Sequence, residues 1–132
     1  MTGTVRQTFT VRGRLPGLNE YTKACRQSPH AGNEMKRRAQ ARVAEAIEAY
    51  QVEPMEPRVR IDVTWVEKDR RRDMDNVVFA KKFVWDALVE AGVIGDDGWD
   101  WIEGFSDRCI VRRDDPRVVV TLTGELRKGD GF

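Results

Sequence analysis

The sequence predicts an α+β fold in which two helices pack on a mixed β-sheet. Three observations lead there. Apolar residues alternate with polar ones along residues 4–14 and 58–65, recur three and four apart along residues 33–50, and form a second helical stripe before two further segments read as strands. A chain of 132 residues holds one core of this kind, because a second would be starved of apolar side chains. Residues 1–132 are therefore read as a single domain, with 124–132 as a mobile tail.

Val5, Gln7, Phe9 and Val11 alternate with Arg6, Thr8, Thr10 and Arg12, the mark of a half-buried strand. Leu15-Pro16-Gly17 ends it. Residues 17–33 carry Asn19, Ser28, Pro29 and Gly32 without a period, and an irregular connection of that length is expected to be a substrate-facing loop. Asn33 suits the N-cap of a helix whose inward stripe is Met35, Ala39, Val43, Ala46, Ile47 and Tyr50, and Pro54 and Pro57 stop it. Val59, Ile61, Val63 and Trp65 mark the clearest strand.

A charged turn over residues 67–72 leads to a second helix beginning near Asp75. Its stripe is Val78, Phe83, Trp85, Leu88 and Val89, and Gly92 ends it as the C′ residue. Residues 93–98 form a tight turn, and residues 101–113 a strand with a bulge expected at Gly104. Asp114-Asp115-Pro116 then reads as a hairpin turn into a last strand over residues 117–123. Trp85, Trp99 and Trp101 are candidates for core or interface, core first.

Composition excludes several classes. With 40% hydrophobic and 34% charged residues the chain is too apolar for disorder. There is no apolar run near the ~18 residues a spanning helix needs and no apolar signal region in residues 1–10, so a cytoplasmic protein without a membrane partner is expected. Cys25 and Cys109 lie far apart without a CxxC pair, which excludes a disulfide framework and a four-ligand zinc site. Cys25 with His30 reads as surface loop rather than metal site.

The net charge of +1, from 23 basic against 22 acidic residues, argues against nucleic acid in general. The distribution is uneven, however. Basic residues gather at Lys36-Arg37-Arg38, in residues 68–72 and at Lys81-Lys82, acidic ones in residues 45–56 and 96–103, so a local phosphate-binding surface survives the neutral total.

Chemistry concentrates in Arg70-Arg71-Arg72-Asp73-Met74-Asp75-Asn76 and, beyond the helix, Gly95-Asp96-Asp97. Two aspartates one residue apart at a strand-to-helix junction can face one pocket, and a third carboxylate from the far turn can complete a hard-cation site. Magnesium takes oxygen ligands, usually one or two carboxylates with water or phosphate. Helix capping by Asp73 or Asp75 and turn formation by Asp96-Asp97 account for the same residues without chemistry, and spacing alone does not choose. Asp73-Met74-Asp75-Asn76-Val77 also fits the DxDx[TV] string of haloacid dehalogenase-like phosphatases. Those aspartates follow an apolar strand directly, whereas Asp73 follows three arginines, and the chain is too short for that family's core.

Taken in order, Arg71-Arg72-Asp73-Met74-Asp75-Asn76, Lys81-Lys82-Phe83, Asp86-Ala87-Leu88, Ala91-Gly92-Val93-Ile94 and Asp96-Asp97 resemble the signature of the RusA family of Holliday junction resolvases. Leu15-Pro16-Gly17-Leu18-Asn19-Glu20-Tyr21 resembles that family's N-terminal loop. The resemblance implies a RusA-like fold and a magnesium-dependent endodeoxyribonuclease that resolves Holliday junctions by paired phosphodiester hydrolysis in recombination and repair. It implies Asp73, Asp75 and Asp97 as catalytic residues holding Mg2+, and Lys82 as an assisting lysine with Lys81 as its substitute. Arg70, Arg71, Arg72, Lys81, Lys36, Arg37 and Arg38 are the expected DNA-binding residues. The expected partners are four-way or branched DNA and a second copy of the chain, since a twofold dimer matches a junction with two equivalent strands. A junction-binding protein without cleavage is one alternative, and a flap-type nuclease or phosphatase using the same aspartates is another.

Overall fold

Four strands and four helical segments alternate in a computed structural model that describes residues 3–128. Their order is β1 (Val5–Arg12), α1 (Leu18–Gln27), α2 (Pro29–Ala49), β2 (Val59–Glu67), α3 (Met74–Val78), α4 (Lys81–Glu90), β3 (Ile102–Val111) and β4 (Arg117–Gly124). The strands form one mixed sheet in the order β1-β4-β2-β3, with β2 and β3 parallel and the other pairs antiparallel. This is the α+β single-domain fold expected.

The period-two patterns decide which face of each strand is covered. Phe9 and Val11 of β1, Ile61, Val63 and Trp65 of β2, and Val118, Val120 and Leu122 of β4 are buried. Against them α2 sets Ala39, Val43, Ala46 and Ile47, and α4 sets Phe83, Val84, Trp85, Ala87 and Leu88. Burial of large apolar side chains, each about 1.5–3 kcal/mol, is the main favourable term holding helices to sheet. Gly92, at φ +76°, follows the C-cap of α4 in the left-handed conformation expected of it.

Several expectations are corrected. Residues 17–33 are not a loop: they hold α1 and the start of α2. Tyr21 and Ala24 face inward, too few positions to show a helical period, and Tyr21 lies 5.6 Å from Phe79 and 5.8 Å from Phe83 between ring centroids. α2 starts at Ser28 rather than Asn33. The Ser28 hydroxyl accepts the Ala31 amide at 3.0 Å, and Pro29 occupies the first turn, where its missing N–H costs nothing. The second predicted helix is two, broken at Phe79 and Ala80.

Asp114-Asp115-Pro116 is not a hairpin turn, because β3 and β4 lie on opposite sides of β2 and the segment crosses the end of β2, where the Arg112 amide donates to the Glu67 carbonyl. The bulge falls at Glu103, beside Gly104, where the β2–β3 register steps from Val59↔Ile102 to Arg60↔Gly104. The expected tail is partly anchored. Gly124 ends β4, Leu126 bridges to Met55 and the Arg127 amide donates to the Pro54 carbonyl. Residues 129–132 lie outside the described residues.

Candidate active site

The buried face of β2 runs Ile61, Val63, Trp65 and then, at its last position, Glu67, a carboxylate only 7% exposed. A charge there needs a partner, and Arg72 supplies it. Its Nε donates to Glu67 Oε1 at 2.9 Å and its Nη2 to Oε2 at 2.8 Å, while Nη1 donates to the Leu15 carbonyl at 3.0 Å and to Glu20 Oε1 at 2.9 Å. Burial alone would lower the Arg72 pKa, but the hydrogen bonds and charges of Glu67 and Glu20 outweigh it and raise it above its ordinary value. Removing one partner of such a buried pair costs about 3–5 kcal/mol.

On the far side of Asp73, Asn76 is buried and its Oδ1 accepts the Asn19 amide at 2.8 Å, at the first turn of α1. Gly17 fits between the two anchors. A Cβ there would lie 2.7 Å from Asn76 Oδ1 and 3.0 Å from Arg72 Nη1, so no larger residue can enter without moving one of them.

Asp73 stands between these anchors, at the N-cap position of α3 with an exposed side chain that makes no capping bond. Asp75 is exposed in the first turn, and its Oδ1 accepts the neighbouring Asn76 amide at 2.9 Å. Among the described residues neither carboxylate has a cationic side chain within ion-pair distance. Their acidic neighbours do: Glu67 has Arg72 and Arg14, and Asp69 has Arg71. The Arg71 amide above all, with the charges of Arg71, Lys68 and Arg14 and against a smaller effect of burial, holds the Asp69 carboxyl below its usual range.

Asp73 lines two clefts. One, of about 740 Å³, is also lined by Glu67, Asp69, Arg70, Met74, Val77, Cys109 and Val111. The second, of about 400 Å³, is lined by Arg14, Asn19, Lys68, Arg71 and Asn76. Burial first, and then the charges of Asp107 and Glu67, raises the Cys109 thiol above its ordinary pKa. Asp73, which lines both clefts, and Asp75, which lines neither, are exposed carboxylates without a cationic partner, the donor chemistry a hard divalent cation takes together with water and phosphate oxygens.

The other expected residues are spread along α4. Val77, Lys81 and Trp85, four residues apart, face β3: Trp85 meets Phe105 at 6.0 Å between centroids, Lys81 reaches Asp107, and Val77 lines a cleft with Cys109. Lys82 is exposed on another side, 3.7 Å from Asp86, which also lies 3.9 Å from Lys36. Arg37 and Arg38 pair with Glu34 at 3.9 and 3.1 Å. Lys36 and Arg37 thus lie where α2 packs beside α4, away from the Asp73 loop.

Asp97 is exposed beside Trp85, Trp99, Ile102 and Phe105, at the beginning of β3, whereas the Asp73 cleft is at its end. The offset from the 102–105 segment to the 109–111 segment is about 20 Å at the usual rise of a strand. Asp97 therefore does not join Asp73 and Asp75 within the chain, and no group of three metal-ligating side chains occurs among the described residues. Glu67, Glu20 and Asn76 were not expected to frame the site. The available signal was Glu67 itself, a charge closing a run of alternating buried positions.

The family model Endodeoxyribonuclease RusA matches residues 3–123. The chain belongs to the RusA family. The matching model is named for an endodeoxyribonuclease, an enzyme class whose substrate is DNA. No curated protein is a significant match to the sequence. Among solved structures, the hydrogenase maturation protein HypE is 15% identical with a TM-score of 0.43, and the alignment covers 98% of this chain and 32% of that one. HypE in complex with ATP is 16% identical with a TM-score of 0.41, over 97% and 31%. This RusA-family chain spans about a third of the length of those proteins, and the likeness bears on neither fold nor site. No described helix is long and apolar enough to cross a membrane.

Proposed function

We propose that this RusA-family chain resolves Holliday junctions as a homodimer, hydrolysing phosphodiesters with Mg2+ held by Asp73 and Asp75. The observation that carries the reading is the pair of unpartnered carboxylates on a loop whose other acidic residues, Glu67 and Asp69, are ion-paired. Bound there, the ion would supply Lewis-acid neutralisation of phosphoryl charge and a more acidic water. Arg70 and Arg71, exposed at the two clefts beside Asp73, hold flanking phosphates, and Lys82 is available to stabilise charge developing in the transition state. Lys36, Arg37, Arg38 and Lys81 extend the basic surface along α2 and α4.

The distance of Asp97 is what a dimer accounts for. Among the described residues β3 is an edge strand paired only with β2, and Met74, Trp99, Phe105 and Val111, four of their six exposed large apolar residues, lie along its side of the molecule. Antiparallel approach of two β3 edges sets the start of one against the end of the other. Asp97 of one copy then faces Asp73 and Asp75 of its partner, and the acidic residues Asp96, Asp100 and Glu103 face the basic loop of Lys68, Arg70 and Arg71.

The test is cleavage of a synthetic four-way junction with and without Mg2+, beside flap, duplex and single-stranded controls, by the native chain and Asp75→Asn. Metal-dependent junction cutting lost in the variant supports the reading. Junction binding without cutting leaves a DNA-binding protein instead, and preference for the flap substrate a flap-type nuclease.

A further inference from the structure

We infer that Arg72 is a positioning residue that holds the Asp73 loop against residues 15–20, rather than a contact to DNA. The inference rests on reading Asp73 as the carboxylate that meets the reacting phosphate. A guanidinium has five N–H donors, and the four protein acceptors of Arg72 are both Glu67 oxygens, the Leu15 carbonyl and Glu20. Its side chain is 11% exposed, against 88% for Arg71. No bidentate face is left for a phosphate.

The four acceptors belong to two segments far apart in sequence. Glu67 ends β2, and Leu15 and Glu20 flank the start of α1. The same α1 terminus is tied a second time, by Asn76 to the Asn19 amide, and Glu20 Oε1 also accepts the Gly17 amide at 3.1 Å. Asp73 lies between Arg72 and Asn76, so its backbone is set by two anchors that both bind residues 15–20. That segment, which makes no hydrogen bond to Asp73 or Asp75, becomes part of the scaffold on which Asp73 is aimed. An error of about 1 Å at such a group costs on the order of 100-fold in rate.

Two variants approach the clamp from opposite sides. Arg72→Lys keeps the charge and removes the planar fork. Gly17→Ala removes no charge and wedges Arg72 from Asn76. Three readouts are compared with the native chain: single-turnover junction cleavage in Mg2+, junction binding without metal at several salt concentrations, and hydrogen exchange of residues 15–20 and 69–76.

Both variants should exchange faster in both segments and cleave about 10-fold to 100-fold more slowly, with junction affinity and its salt slope unchanged. Weaker binding by Arg72→Lys, with a salt slope smaller by about 1, identifies a phosphate contact and overturns the inference. Native cleavage by Gly17→Ala despite faster exchange also overturns it, because Asp73 is then aimed without residues 15–20. Exchange that rises in only one segment shows that the clamp does not join them. Absence of cleavage by the native chain rejects the proposed activity, and the exchange measurement alone then decides the clamp. Should Arg72→Lys not fold, Gly17→Ala carries the same comparison.

Discussion

The Lys81 ammonium sits 4.3 Å from the centroid of the Phe105 ring and is held there by Asp107, while Lys82, one residue on, reaches Asp86 on another side of α4. Adjacent lysines thus have different work. Lys81→Ala leaves Asp107 with only the Trp65 indole N–H and should lower stability by about 1 kcal/mol. Lys82→Ala should leave the melting temperature nearly unchanged and slow cleavage more than it weakens binding. Thermal melts with single-turnover rates separate the two, and the reverse pattern assigns the assisting role to Lys81.

Asp75→Asn should abolish Mg2+-dependent cleavage while leaving junction affinity equal or tighter, because it removes a metal donor and a negative charge facing phosphate. Metal that binds only the folded chain stabilises it by mass action. Adding Mg2+ at constant ionic strength should therefore raise the native melting temperature more than that of the variant. Equal shifts in the two proteins would remove Asp75 from the metal site.

These experiments bear on residues that were only partly legible beforehand. Period-two alternation was enough for β1 and β2, because one face of each is covered by helices. Asp73 and Asp75 were visible as a pair at a strand-to-helix junction. α1 was not, because it turns only Tyr21 and Ala24 inward and so shows no stripe. The position of Asp97 was also out of reach. It depends on β3 running parallel to β2, which no local pattern states and which separates the start of β3 from the Asp73 loop. Nor did the motif show that Arg72, in a run of three arginines, belongs to the protein interior.

Cys109 offers a pH-dependent readout at the Asp73 cleft. Its raised folded-state pKa means that the unfolded chain ionises first, so the thiol contributes stability that is present below its unfolded pKa and lost as pH rises through the folded value. In Cys25→Ser, the midpoint of alkylation rate against pH should lie above that of a free cysteine, and Asp107→Asn should bring it down. A midpoint at the ordinary thiol value would show that neither burial nor the carboxylates act on Cys109.

Trp99, 93% exposed, should become covered when two β3 edges meet. A homodimer at micromolar concentration is expected by sedimentation, with Trp99→Glu shifting it to monomer and abolishing cleavage without lowering the melting temperature. A native monomer both alone and on junction DNA would sink the symmetric model.

Junction binding should weaken steeply with salt, since each phosphate neutralised releases counterions. Arg71→Ala should lower the slope of log affinity against log salt by about 1. An unchanged slope would remove Arg71 from the phosphate-facing surface.

The strand order carries a consequence for how the chain is made. Among the described residues β4 is the only neighbour of β1 and also flanks β2, with Val5 opposite Gly124 and Arg60 opposite Thr123. Until residues 117–124 leave the ribosome, β1 and β2 have no strand between them, and β1 has no partner in the sheet. The helix–helix contacts and the β2–β3 pair can form before β4. Joining β1 to the sheet must therefore wait for β4 and closes the long loop from Val5 to Gly124, a topology that favours the slower end of single-domain rates and exposes nascent strands to chaperones.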